Sequence, residues 1–157
     1  MKIYLIGYIS NNRLQECLAW RKKIREHFDL QSKWHGKIEF LDPLNGKALE
    51  MIDDEGLKSN IPAKAFVKRD HKCVRIADLL IVSLDTFGEK RPLTGTIYEL
   101  AWAWLYKTPV IIITTDPYYT NHSFIQDTAC IIVSSVEELL EKDYIQYYYK
   151  GLVTADY

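Results

Sequence analysis

The run DLLIVSLD, from Asp78 to Asp85, decides the fold. Between its two acids lie six residues, five of them aliphatic. Such a segment is too short for a buried helix and reads as a strand covered on both faces. It therefore needs a layer of helices on each side of its sheet. Immediately before it, Pro62 suits a helix first turn, and Ala65, Phe66, Arg69, Cys73 and Ile76 carry that helix to Ala77. Immediately after it comes a polar loop, Thr86 to Thr94. Gly95 to Tyr106 then returns to helical spacing through Ile97, Leu100, Ala101, Trp104 and Leu105. Thr108-Pro109 ends that helix, and Val110 to Ile113 is a second buried strand. Strand, helix and strand in this order form a parallel unit with a right-handed crossover.

The same alternation continues outward. Lys2 to Gly7 reads as a strand and Arg13 to Phe28 as an amphipathic helix on Leu14, Cys17, Trp20, Ile24 and Phe28. Lys37 to Leu41 is a strand stopped by Asp42-Pro43, Cys130 to Val133 is another, and Val136 to Glu141 is a short helix. Gly46 to Asn60 is polar and reads as a loop with at most one helical turn. The pattern predicts an α/β fold: a single-domain, flavodoxin-like, doubly wound sheet of five parallel strands in the order 2-1-3-4-5, spanning residues 1–157. The last fifteen residues, 143–157, hold five tyrosines. Such a surface packs on its own domain or on a neighbouring subunit of a homo-oligomer.

Composition excludes several classes. The 157 residues are 48% hydrophobic, and 20 basic against 21 acidic residues leave a net charge of −1. That balance argues against a nucleic-acid polymer as partner. Cys17, Cys73 and Cys130 are odd in number, widely spaced and without a CxxC. No zinc site or disulfide framework is expected, and the compartment expected is the reducing cytoplasm. Apolar runs are far below the roughly 18 residues of a membrane helix. The stretch Ile3 to Ile9 is too brief for a signal sequence.

In an open parallel sheet, ligands bind at the carboxyl ends of strands where the order reverses. Gly7–Arg13, Asp85–Glu99 and Thr114–His122 are therefore expected to converge. GYISNNR, 7–13, lacks a GxGxxG or Walker pattern. Ser10, Asn11 and Asn12 read first as helix caps. The alternative is that Ser10 and backbone amides hold a sugar hydroxyl or phosphate, with Arg13 assisting. Tyr8 is suited to stacking on a planar ligand. Glu99 follows TGT, 94–96, in the first turn of its helix. It is either a partner of the helix dipole or, allowed close packing by Gly95, an ionised nucleophile. Asp70 in its charged run reads as a surface acid, Asp78 as structural and Asp42 as an Asx turn before proline. His71 and His122 make no triad, and Trp102 and Trp104 read as core of a helix buried on both faces.

KIYLIG (2–7), LDPLNG (41–46), VKRDHKCVRIADLLIVSLD (67–85), TGTIYELAWAW (94–104) and KTPVIII (107–113) together resemble the nucleoside 2-deoxyribosyltransferase family. The most specific pieces are the Asp70-x7-Asp78 spacing and the GT-x-x-E block of Gly95, Thr96 and Glu99. The resemblance implies a flavodoxin-like enzyme, without cofactor, that cleaves the N-glycosidic bond of a 2′-deoxynucleoside and passes the sugar to a free nucleobase. It implies Glu99 as nucleophile and Asp70 beside the sugar, and suggests Asn121 as a further contact after strand four. Tyr157 would reach a neighbouring subunit's site. Gly7, Tyr8, Ser10, Arg13, Asp42, Gly95 and Thr96 complete the expected substrate contacts. Members tend to use an acid in the loop before the glutamate to engage the base. In this chain that loop is TFGEKRPLTGT, 86–96, with Glu89 as its acid and Lys90 and Arg91 as cations that suit a phosphate on the substrate. A sister branch hydrolyses deoxynucleoside 5′-monophosphates, holding the phosphate with serine and arginine near strand one, a task the Ser10–Arg13 segment suits. Transferase, monophosphate hydrolase, hydrolase of another N-riboside and non-catalytic nucleotide sensor are the readings carried forward.

Overall fold

A computed structural model describes residues 1–31, 37–45, 49–52, 56–59 and 61–152. Five parallel strands form the main sheet: β1 (Lys2–Gly7), β2 (Glu39–Leu41), β5 (Leu79–Ser83), β6 (Val110–Ile113) and β7 (Ile131–Val133). Their spatial order is β2-β1-β5-β6-β7, the expected 2-1-3-4-5. β1 and β5 run in register from Ile3 opposite Leu79 to Gly7 opposite Ser83.

Alternation along the strands builds two cores. Tyr4, Ile6, Tyr8, Leu80, Val82 and Ile112 face α2 (Ala63–Ile76) and α3 (Thr94–Tyr106), which contribute Val74, Leu100 and Ala103. Ile3, Leu5, Ile81 and Ile111 face α1 (Leu14–Asp29), α6 (Val136–Glu141) and α7 (Tyr144–Leu152) through Trp20, Ile24, Phe28, Leu139 and Ile145. All five residues of β5 are buried, because each of its faces meets one of these helix layers. Asp78 accepts the Lys2 amide at 2.7 Å and so ties the amino ends of β1 and β5.

Two readings of the sequence need correction, and one segment without an assigned structure is now filled. Within 46–60 the chain forms a hairpin, β3 (Leu49–Ile52) against β4 (Gly56–Ser59), apart from the main sheet. Its four-residue strands hide in a polar stretch that carries no sustained alternation. The segment after β6 holds two short helices, α4 (Pro117–Thr120) and α5 (Ser123–Thr128). Finally, α3 is not buried all round: Tyr98, Trp104 and Leu105 are exposed. The aromatic tail, as far as Leu152, is the helix α7, with Tyr144, Tyr148 and Tyr149 against the chain's own core.

A fully buried arginine braces the crevice side. Arg21 lies on the inward stripe of α1 and donates to the carbonyls of Cys17 and Gly7. Its Nε is 3.8 Å from Asp42, a carboxylate that Arg25 also reaches at 3.1 Å. A Cβ at Gly7 would stand 3.1 Å from both the Ser83 carbonyl and the Trp20 ring, so a larger residue there needs its neighbours to give by a few tenths of an ångström. Breaking one side of a buried ion pair strands the other charge. Arg21→Met is expected to cost about 3 kcal/mol, near the lower end for such pairs because Arg25 still meets Asp42. Urea unfolding followed by circular dichroism measures this, and unchanged stability would contradict the bracing role.

Candidate active site

Tyr4 is wholly buried in β1, and its hydroxyl donates to Glu99 Oε1 at 2.8 Å. Glu99 is only 9% exposed. The helix α3 begins at Thr94, so Glu99 stands in its second turn rather than its first. The dipole fades within one turn, so the Tyr4 hydroxyl takes over the stabilising part first given to the helix end. Burial, then the charges of Glu99 and Asp70, push the Tyr4 phenol far above its ordinary range. It therefore stays neutral and can only donate to the carboxylate. Cys73, one turn along α2 from Asp70, has its thiol raised by burial first and by Asp70 next. Tyr4, Asp70, Cys73 and Glu99 thus gather where α2 and α3 pack over β1.

Asp70 is half-buried and is not a free surface acid. Arg69 lies 3.3 Å from it and also donates to the Asn45 carbonyl at 2.8 Å and to the Pro43 carbonyl. The loop after β2 is thereby tied to the helix bearing Asp70. Asp42 makes the expected Asx turn, accepting the Leu44 amide at 2.8 Å, and its carboxylate is turned toward Arg21 and Arg25.

The loop after β1 behaves differently from a cap. Arg13 is the N-cap of α1, with no side-chain capping bond, and pairs instead with Glu16 at 3.1 Å. Ser10 donates to Glu89 Oε1 at 2.9 Å, and the Tyr8 hydroxyl donates to Glu89 Oε2. Arg91 lies over the Tyr8 ring, 4.8 Å from its centroid, and donates to the Ile9 carbonyl. The turn presenting Glu89 contains two successive left-handed residues, Phe87 at φ 55° and Gly88 at φ 81°. Such a conformation is disfavoured for phenylalanine, and the Asp85 carboxylate supports it by accepting the Phe87 amide at 2.7 Å.

Other candidates are spread more widely. Thr96 is buried on α3, whereas Gly95 faces open space: an added Cβ would meet nothing within 4 Å. Gly95 is therefore not needed for close packing within the chain, contrary to the sequence reading. Asn121 is exposed and donates to the Pro117 carbonyl at 2.8 Å, at the end of α4. Tyr157 lies outside the described residues. A cavity of about 540 Å³ joins Asp85, Glu89 and Arg91 to Thr114, Asp116 and Ser134, so two of the three predicted segments share it; Gly7–Arg13 does not line it and meets the second segment through Glu89 and Arg91. An apolar groove of about 700 Å³ runs along Ile97, Trp104, Tyr118 and Phe124. Glu99 and Asp70 line neither; the carboxylate cluster is a separate feature on the α2 side of α3.

Sequence reasoning passed over Tyr4, Arg21 and Arg69 as polar partners, and named Glu89 only as the acid of its loop. A tyrosine in an otherwise aliphatic strand, and an arginine on the apolar stripe of α1, were the available signals.

No family model and no curated protein matches the chain. Solved structures do. A conserved protein from Enterococcus faecalis is 22% identical, covers 98% of this chain and 99% of its own, and superposes with a TM-score of 0.63. A 2-deoxyribosyltransferase from Bacillus psychrosaccharolyticus is 17% identical over 93% and 95%, with a TM-score of 0.64. A CMP N-glycosidase from Clostridium botulinum is 13% identical over 90% and 97%, with a TM-score of 0.54. The chain therefore has, along nearly its whole length, the flavodoxin-like fold that the 2-deoxyribosyltransferase and the CMP N-glycosidase share.

Proposed function

We propose that the protein is a nucleoside 2-deoxyribosyltransferase. The observation that carries this reading is the buried Glu99 carboxylate, which accepts the Tyr4 hydroxyl that Asp70 also influences. A carboxylate kept from water, oriented and paired with a neutral donor is suited to nucleophilic attack. Likeness in fold to a 2-deoxyribosyltransferase and a CMP N-glycosidase supports chemistry at an N-glycosidic carbon.

In this reading a Glu99 oxygen attacks C1′ on the face opposite the base. The C1′–O bond forms as the C1′–N bond breaks, and the base leaves with the electron pair. It takes up a proton from water. A nitrogen of the second base then attacks C1′, releases the Glu99 carboxylate and loses its own proton. Two inversions restore the β configuration, as in retaining glycosidases. Tyr4 positions Glu99 throughout, and the substrate and acceptor are a deoxynucleoside and a free nucleobase.

Glu99→Gln, which keeps an acceptor for Tyr4, is expected to fold normally and lose transfer by more than about a thousandfold. Incubation with deoxyinosine and free adenine, followed by product separation, reads this. Mass spectrometry of the wild type should find a deoxyribosyl adduct on Glu99. Normal transfer by the folded variant ends the assignment. Glu99→Ala also orphans the Tyr4 hydroxyl, at a cost of about 1–3 kcal/mol. Tyr4→Phe removes a hydrogen bond to a charged acceptor, so kcat should fall about 10–100-fold. An unchanged kcat would make Tyr4 a packing residue only. For Asp70→Asn, an unchanged kcat/KM would return Asp70 to the surface-acid reading.

A further inference from the structure

We propose that Glu89 is a specificity residue whose carboxylate fills an anion cradle at the carboxyl end of β1, so that the site takes sugars with an uncharged 5′ position and turns away 5′-monophosphates. This rests on the reading that a deoxynucleoside binds over Glu99.

The cradle is made by one loop. The Tyr8 hydroxyl and Ser10 Oγ converge on the two oxygens of a single carboxylate. Tyr8 and Ser10 are buried, at 3% and 8% exposure, so these donors are fixed rather than sampling solvent. Several neutral donors aimed at one point are what a phosphate oxyanion requires. In this chain a carboxylate from the Asp85–Pro92 turn already occupies that point. Hydrogen bonding by Tyr8, aided by Ser10, Asn12 and Arg91, holds the Glu89 carboxyl below its ordinary range, so it is anionic at neutral pH. Two of the nearby cations are engaged, Arg91 with the Ile9 carbonyl and the Tyr8 ring and Arg13 with Glu16, while Lys90 is exposed.

Position links the cradle to the nucleophile. Tyr4 and Tyr8 share one face of the sheet and lie four residues apart, roughly 13 Å along an extended chain. Glu99 is bound at the Tyr4 end and Glu89 at the Tyr8 end. A sugar whose C1′ meets Glu99 can direct its 5′ substituent toward Glu89. A neutral hydroxyl there can donate to the carboxylate, whereas a phosphate meets a like charge and finds its donors taken.

The test is isothermal titration calorimetry on the full chain, as wild type, Glu89→Gln and Glu89→Ala. Ligands are a 2′-deoxynucleoside, its 5′-monophosphate and inorganic phosphate. The wild type should prefer the nucleoside, and both variants should shift the ratio toward the monophosphate by about tenfold or more. Glu89→Ala should also gain phosphate binding that Ser10→Ala, added to it, removes. Equal wild-type affinity for nucleoside and monophosphate overturns the proposal, as does the absence of any gain in both folded variants. If phosphate binding appears in Glu89→Ala while the wild type neither binds nor transfers a nucleoside, the cradle stands and the transferase reading fails.

Discussion

A carboxylate can be kept inside this protein because β1 supplies a hydroxyl at the point where α3 passes over it. Every other residue of the strand interior from Ile3 to Ile6 is aliphatic, so Tyr4 is the residue of that interior able to meet an acid on the inner face of α3. Its hydroxyl offsets part of the cost of burying the carboxylate and fixes the direction of Glu99. The parallel register of β1 with β5, and the packing of α2 beside α3, bring Asp70 and Cys73 to the same spot.

Around this pair the chain uses buried charge as bracing. Arg21 clasps the Gly7 carbonyl and lies beside Asp42, joining the ends of β1 and β2 through α1. Arg69 fastens the loop after β2 to the helix that carries Asp70. Neither guanidinium is an exposed patch that would draw in a polyanion. Positive charge at this end of the sheet sets backbone geometry first.

Much of the fold was legible because the strands that matter are buried on both faces. Leu79–Ser83, Val110–Ile113 and Lys2–Gly7 carry a burial signal that short length alone separates from helix. The hairpin of β3 and β4 was not legible, since a two-stranded unit outside the main sheet needs no continuous apolar run. For the site, motif likeness singled out Glu99 and Asp70, but residue type alone could not show how Glu99 is held. It suggested a helix-end dipole where a long-range tyrosine contact, ninety-five residues away in sequence, does the holding. Ser10 illustrates the same gap: serine before a helix suggests a cap, yet its partner is a glutamate seventy-nine residues on.

The borders of the sheet have a bearing on how the protein meets copies of itself. β2 and β7, the two outermost strands, are three residues long each. So short a margin offers an incoming chain few free amides and carbonyls, and runaway β-type polymerisation finds no template there. Self-association, where it occurs, falls instead to side-chain surfaces such as the aromatic flank of α3.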